Sequence, residues 1–157
     1  YQHCLTLPRE ITVDSDGALL QNPVREISFL RDEKKSVNDG ESTEILLPFD
    51  LTANVTGSFE ITLCGALEMH WDGHIFELRF SDEKLGGGRT VRKAVLDKCS
   101  DIRVIADKSS VEIYLDGGKT VFSSRMYPES DKVGLTVKGL NADVYTLREM
   151  EASYLGE

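Results

Sequence analysis

Val111-Glu112-Ile113-Tyr114-Leu115-Asp116-Gly117-Gly118-Lys119-Thr120-Val121-Phe122-Ser123 is the stretch whose reading decides the fold. Val111, Ile113 and Leu115 alternate with Glu112 and Tyr114, the period of a strand with one buried face. Asp116-Gly117 follows at once, and both residue types tolerate the positive φ that tight hairpin turns require. The run Thr120–Ser123 then completes a predicted β-hairpin. On this reading Glu112 faces water, opposite Val111 and Ile113.

The same period recurs along the chain. Ser58–Leu63, Ile75–Phe80, Ile102–Ile105 and Lys132–Val137 all alternate. Turn chemistry falls between the runs at Ser15-Asp16-Gly17, Asn38-Asp39-Gly40, Trp71-Asp72-Gly73 and Gly86-Gly87-Gly88. Short alternating runs separated by such turns predict an all-β fold, a two-sheet antiparallel β-sandwich of the concanavalin-like jelly-roll kind. Helix is scarce: Leu147–Leu155 is the one candidate, and it reads equally well as a last strand. Arg31–Thr43 carries charges of mixed sign and reads as a solvated loop or edge. No linker divides residues 1–157, so one domain is expected.

The bulk numbers bound the function. The chain has 157 residues, 40% hydrophobic and 29% charged, a globular balance that can form a core without staples. Eighteen Lys+Arg against 27 Asp+Glu leave a formal charge of −9. That excess argues against nucleic acid and against an anionic membrane surface. Cys4, Cys64 and Cys99 form no C-x-x-C pair, so neither a zinc site nor a disulfide framework is expected. Free thiols suggest a reducing, cytoplasmic setting. No apolar run approaches the ~18 residues of a membrane span. The chain opens at Tyr1 rather than Met and reads as an excised piece of a longer protein.

Local chemistry is thin. His70-Trp71-Asp72-Gly73-His74 sits where a hairpin turn is expected, and exposed turn histidines explain it better than a metal site. Trp71 is the candidate for sugar contact, since an aromatic face beside a carboxylate suits a pyranose or furanose ring. Asp107 and Glu112 are the local carboxylate pair, better explained as a turn cap and a wet strand face than as glycosidase groups. Gly86-Gly87-Gly88-Arg89 lacks the phosphate-loop pattern and reads as a flexible connection. Asn54-Val55-Thr56 matches a glycosylation acceptor, which matters only in a secreted eukaryotic setting. No cofactor is implied.

Two stretches go further. Ser109–Pro128, ending in Arg125-Met126-Tyr127-Pro128, resembles the signature near the end of glycoside hydrolase family 32, the family of invertases, sucrose-6-phosphate hydrolases and levanases. Leu5-Thr6-Leu7-Pro8-Arg9-Glu10-Ile11, then Gly17, then Leu20–Glu26, is similar to the family's lead-in to its C-terminal domain. The resemblance implies a C-terminal β-sandwich that follows a five-bladed catalytic propeller. It implies retaining hydrolysis of β-fructofuranosidic bonds by the parent enzyme. The family's catalytic carboxylates lie in Asn-Asp-Pro, Arg-Asp-Pro and Glu-Cys motifs, and none occurs here. Asn38-Asp39 runs into Gly40, Arg31-Asp32 into Glu33, and His3, Leu63 and Lys98 precede the cysteines. The expectation is therefore a non-catalytic module whose partner is the N-terminal propeller. Arg9, Glu10, Arg125, Tyr127 and Pro128 are its candidate interface residues. Carbohydrate binding by the module itself is the alternative, and contacts in a homo-oligomer are a further expectation.

Overall fold

The computed structural model describes residues 5–148. They form fourteen strands: β1 Arg9–Val13, β2 Leu19–Pro23, β3 Arg31–Val37, β4 Ser42–Leu46, β5 Phe49–Asn54, β6 Phe59–Leu63, β7 Leu67–Trp71, β8 Ile75–Phe80, β9 Val91–Val95, β10 Asp101–Asp107, β11 Ser110–Leu115, β12 Thr120–Arg125, β13 Lys132–Lys138 and β14 Ala142–Leu147. Two antiparallel six-stranded sheets face each other, in the orders β12-β11-β10-β5-β14-β3 and β4-β13-β6-β7-β8-β9. β1 and β2 pair as a separate hairpin. The expected sandwich is present, and each alternating run named above coincides with one of its strands, Ser58 alone falling just before β6.

Alternation explains the core. Phe49 and Leu51, Ile102 and Val104, and Val111, Ile113 and Leu115 point inward from the first sheet. Ile61 and Leu63, Leu67 and Met69, Phe76 and Leu78, and Leu135 and Val137 meet them from the second. A one-residue slip in any strand would turn its apolar set to water, so burial sets the register. The Leu147–Leu155 candidate resolves in part: β14 ends at Leu147, and the remainder lies outside the described residues. Arg31–Val37 becomes edge strand β3, in keeping with its mixed charge.

Gly86-Gly87-Gly88 differs from the expected flexible connection. Asp82 caps a single helical turn, α1 Glu83–Gly86, by accepting from the Lys84 and Leu85 amides. Gly87 ends that turn in the left-handed conformation at φ 55°. A Cβ on Gly87 would lie 2.7 Å from the Tyr127 ring, so glycine is needed for contact as well as for conformation.

The outward faces of the two sheets differ. The second sheet's outer face carries exposed ion pairs, including Glu60–Lys138 at 2.7 Å and Glu44–Lys132 at 2.6 Å. On the first sheet Asp50 has no exposed surface although it points away from the main core. Its Oδ1 and Oδ2 accept from Arg103 Nε and Nη2 at 2.9 and 2.7 Å, and Oδ2 also accepts from Arg31 Nε at 2.8 Å. The Arg31 guanidinium in turn lies 4.2 Å from the Tyr145 ring centroid.

This asymmetry predicts unequal costs. Asp50→Ala leaves two guanidiniums without their carboxylate and should cost about 3 kcal/mol in urea unfolding. Glu60→Ala, on the wet face, should cost less than about 1 kcal/mol. Equal losses would show that the two faces do not differ in this way.

Candidate functional site

The outer face of the first sheet is roofed by the N-terminal arm. Ile27, Ile105 and Tyr114 form a second small core there, with Leu7, Val24, Leu30, Val121 and Leu147 packed around it. Glu112 stands at its centre. Strand alternation places Glu112 outward, as expected, but it is not wet: the arm covers it and leaves 6% exposed. Its Oε1 accepts from the Leu7 amide at 2.6 Å. Its Oε2 accepts from Arg9 Nη2 at 2.9 Å and from the Tyr114 hydroxyl at 2.7 Å. Arg9 also donates to Ser123 Oγ at 2.8 Å and to Gln21 Oε1 at 3.1 Å, and its guanidinium lies over the Tyr114 ring.

The hairpin turn of the signature supports the same arm. Gly118 has φ 90°, and a Cβ there would lie 2.4 Å from the Gln21 carbonyl oxygen, so β2 can cross only over a glycine. Asn22 Nδ2 donates to the Gly117 carbonyl at 2.8 Å, and Lys119 Nζ pairs with Asp14 at 3.1 Å. The two stretches that carry the family resemblance, more than eighty residues apart in sequence, are therefore one unit in space.

The sequence-predicted site residues divide. Arg9 is turned inward, its side chain 18% exposed, and it fastens the arm rather than presenting a charge to a partner. Glu10, beside it on β1, is exposed near Arg25. Arg125 ends β12, and its guanidinium lies 5.7 Å from the Tyr127 ring centroid. Tyr127 remains 45% exposed, and its amide donates to the Leu85 carbonyl. Arg125, and after it Arg89, holds the Tyr127 phenol below the ordinary tyrosine range. Pro128 lies next along the chain, beside a groove shared with Leu85 and Cys64.

Trp71 is a correction. It is 7% exposed, tilted against Phe59 in the core, with Nε1 donating to the Leu96 carbonyl at 2.8 Å. Its place in β7 makes it an inward residue, so it has no face to offer a sugar. Asp107 is exposed while Glu112 is enclosed, so the two do not share an open cleft. Asp72 caps the β7–β8 turn through the His74 and Ile75 amides, and His74 pairs with Asp97. Among the described residues no cluster could hold a metal ion. Burial pushes the Cys99 thiol up to about 11, so it is protonated at neutral pH and no ready nucleophile.

Sequence reasoning missed the burial of Glu112 and of Asp50. A signal for Asp50 existed: Leu46-Leu47-Pro48-Phe49-Asp50-Leu51 sets one carboxylate inside an apolar run. Nothing local marks Glu112, because what covers it arrives from the other end of the chain.

Glu112→Gln should cost about 2 kcal/mol or more, by leaving Arg9 enclosed without its carboxylate. Hydrogen exchange at the Leu7 amide should accelerate; unchanged protection there would mean that Glu112 does not hold the arm. Stability should also fall in alkali. Burial, joined for Tyr114 by the Glu112 carboxylate, raises the Cys99 and Tyr114 values on folding. The folded chain then keeps protons that the unfolded chain has lost, so the unfolding free energy declines as pH rises from 9.0 to about 11. Urea titrations of wild type and Cys99→Ala across that window check the slope, which the variant should flatten.

Comparison with known proteins fits this geometry. Residues 19–150 match the family model described as glycosyl hydrolases family 32 C terminal. The raffinose invertase of Escherichia coli is 28% identical over 156 residues, covering 89% of this chain but 32% of that protein. The sucrose-6-phosphate hydrolase of Vibrio alginolyticus is 32% identical over 155 residues, covering 87% and 29%. Among solved structures, a sucrose-6-phosphate hydrolase from Lactobacillus gasseri superposes with a TM-score of 0.69 at 18% identity, over 89% of this chain and 33% of that one. A family 32 β-fructofuranosidase from Bombyx mori gives 0.72 at 22%, over 91% and 32%. The chain thus spans about a third of the length of the relatives it matches. With its two signature stretches joined across the face of a two-sheet sandwich, the chain belongs to glycoside hydrolase family 32, as the C-terminal domain of that family.

Proposed function

We propose that this chain is the non-catalytic C-terminal module of a β-fructosidase, and that it supports an N-terminal propeller which performs the chemistry. The parent reaction on this reading is retaining hydrolysis of a β-fructofuranosidic bond in sucrose, sucrose 6-phosphate or a fructan. The nucleophilic and acid/base carboxylates belong to the propeller. The absence of the three catalytic motifs from the sequence supports this division of labour.

The observation that carries the docking role is an unpartnered apolar face on the N-terminal hairpin. Ile11 and Val13 lie on one side of β1, and Leu19 is the cross-strand neighbour of Val13. They are 55%, 64% and 53% exposed. A solvated hairpin gains nothing from three apolar residues on one side, whereas a domain interface does. The hairpin is rigid enough to serve, since Arg9, Asn22 and Asp14 tie it to the β11–β12 unit.

A second reading, carbohydrate binding by the module itself, has one feature in its favour. A groove of about 540 Å³ on the first sheet is lined by Asn22, Asn38, Asn54 and Asn141 together with the charged Asp101, Arg103 and Asp143. Amides and carboxylates of this kind match an array of sugar hydroxyls. No exposed aromatic ring accompanies them there.

Two measurements separate the readings. The N-terminal catalytic domain, supplied as a separate polypeptide, should bind this chain, and Ile11→Glu with Val13→Glu should weaken that binding at least about tenfold. Undiminished binding by the double variant would remove the hairpin from the interface. Calorimetric titration of the chain alone with sucrose, kestose and short inulin should be flat, and no fructose should be released. A saturable signal would favour the carbohydrate reading instead.

A further inference from the structure

The edge strands β12 of the first sheet and β9 of the second are bridged by arginine, in a chain whose total charge is −9. Arg92 of β9 reaches across the gap, with Nη1 donating to the Ser123 carbonyl at 2.9 Å and its guanidinium over the Phe122 ring. Arg89 donates from Nη1 to the Gly86 carbonyl at 3.0 Å. Each bond engages one corner of a guanidinium, and Arg89 also bonds the Tyr127 phenol. Among the described residues neither Arg89 nor Arg92 forms an ion pair with a carboxylate. Burial and then the neighbouring Arg89 hold Arg92 below the ordinary arginine range.

Beside them lies a groove of about 210 Å³, lined by Arg89, Arg125, Thr6, Ser110 and Ser123. Glu112 reaches its floor, but that carboxylate is already engaged by Leu7, Arg9 and Tyr114. The Arg89 guanidinium and the Thr6 and Ser110 hydroxyls line the same small concavity, donors of the kind an oxyanion takes. Tyr127, held over Gly87, forms the exposed rim beside Arg89 and Arg125.

We propose that this groove receives a carboxylate side chain of the preceding catalytic domain, so that an ion-pair latch adds to the apolar hairpin contact. The inference rests on the docking reading above. A domain carboxylate fits better than a free anion because Leu5 and Thr6 border the same groove. The chain matches the C-terminal domain of its family, and these two residues precede the matched stretch, as a catalytic domain on this reading does.

The test is binding of the separately supplied catalytic domain at low and at physiological salt, with wild type, Arg89→Gln and Arg89→Glu. Arg89 is exposed, so both variants should melt with wild type. Arg89→Gln should bind on the order of tenfold more weakly and with a shallower salt dependence, and Arg89→Glu more weakly still. Binding that is equally tight and salt-insensitive in all three proteins would overturn the latch while leaving the docking reading in place. If wild type does not bind at all, the docking reading fails and the latch with it. If inorganic phosphate binds the chain alone through Arg89 more tightly than the domain does, the groove is a small-anion site and the carboxylate assignment is wrong.

Discussion

A buried carboxylate organises this domain. Glu112 is enclosed on the outer face of the first sheet and collects the Leu7 amide, the Arg9 guanidinium and the Tyr114 hydroxyl. Leaving it enclosed without those donors would cost several kcal/mol. The arm therefore cannot leave the sheet without uncovering the charge, and the charge cannot be removed without stranding Arg9. Much of what distinguishes this sandwich from a plain pair of sheets follows from that mutual dependence: the second small core over Ile105 and Tyr114, the glycine at position 118, and the hairpin held at a set angle.

Fixing the arm has a consequence for docking. An apolar strip on a loose hairpin would pay an ordering cost each time it met a partner. Held by Arg9 on one side and by Asn22 and Asp14 on the other, Ile11, Val13 and Leu19 are already arranged. The arginine-lined groove is bordered by Leu5 and Thr6 of the same arm. In the proposed interface apolar contact would supply area and ion pairing orientation, the usual division between domains.

The second sheet shows what an uncommitted face looks like. Its outward residues pair with one another in water, as Glu77 does with Arg79 and Lys93, and such pairs add little to stability. Asp50 and its two arginines on the first sheet are the opposite case. They are satisfied, enclosed and hard to replace singly. A polar group on a sheet's outer face thus carries a different energetic weight according to what else covers it.

That difference marks the boundary of what was legible in the chain itself. The period-two runs and the Asp116-Gly117 turn were enough for an antiparallel sandwich, because strand period and turn chemistry are local properties of neighbouring residues; the family came from the resemblance carried by the two signature stretches. Trp71 read as exposed beside a turn and proved to be the inward residue of β7; Glu112 read as wet and proved to be enclosed; Arg9 read as an outward anchor and proved to be an internal one. Each of these depends on a second element that arrives from a distant part of the chain. Alternation states which side of a strand a residue occupies, and only the assembled structure decides whether water or another strand lies on that side.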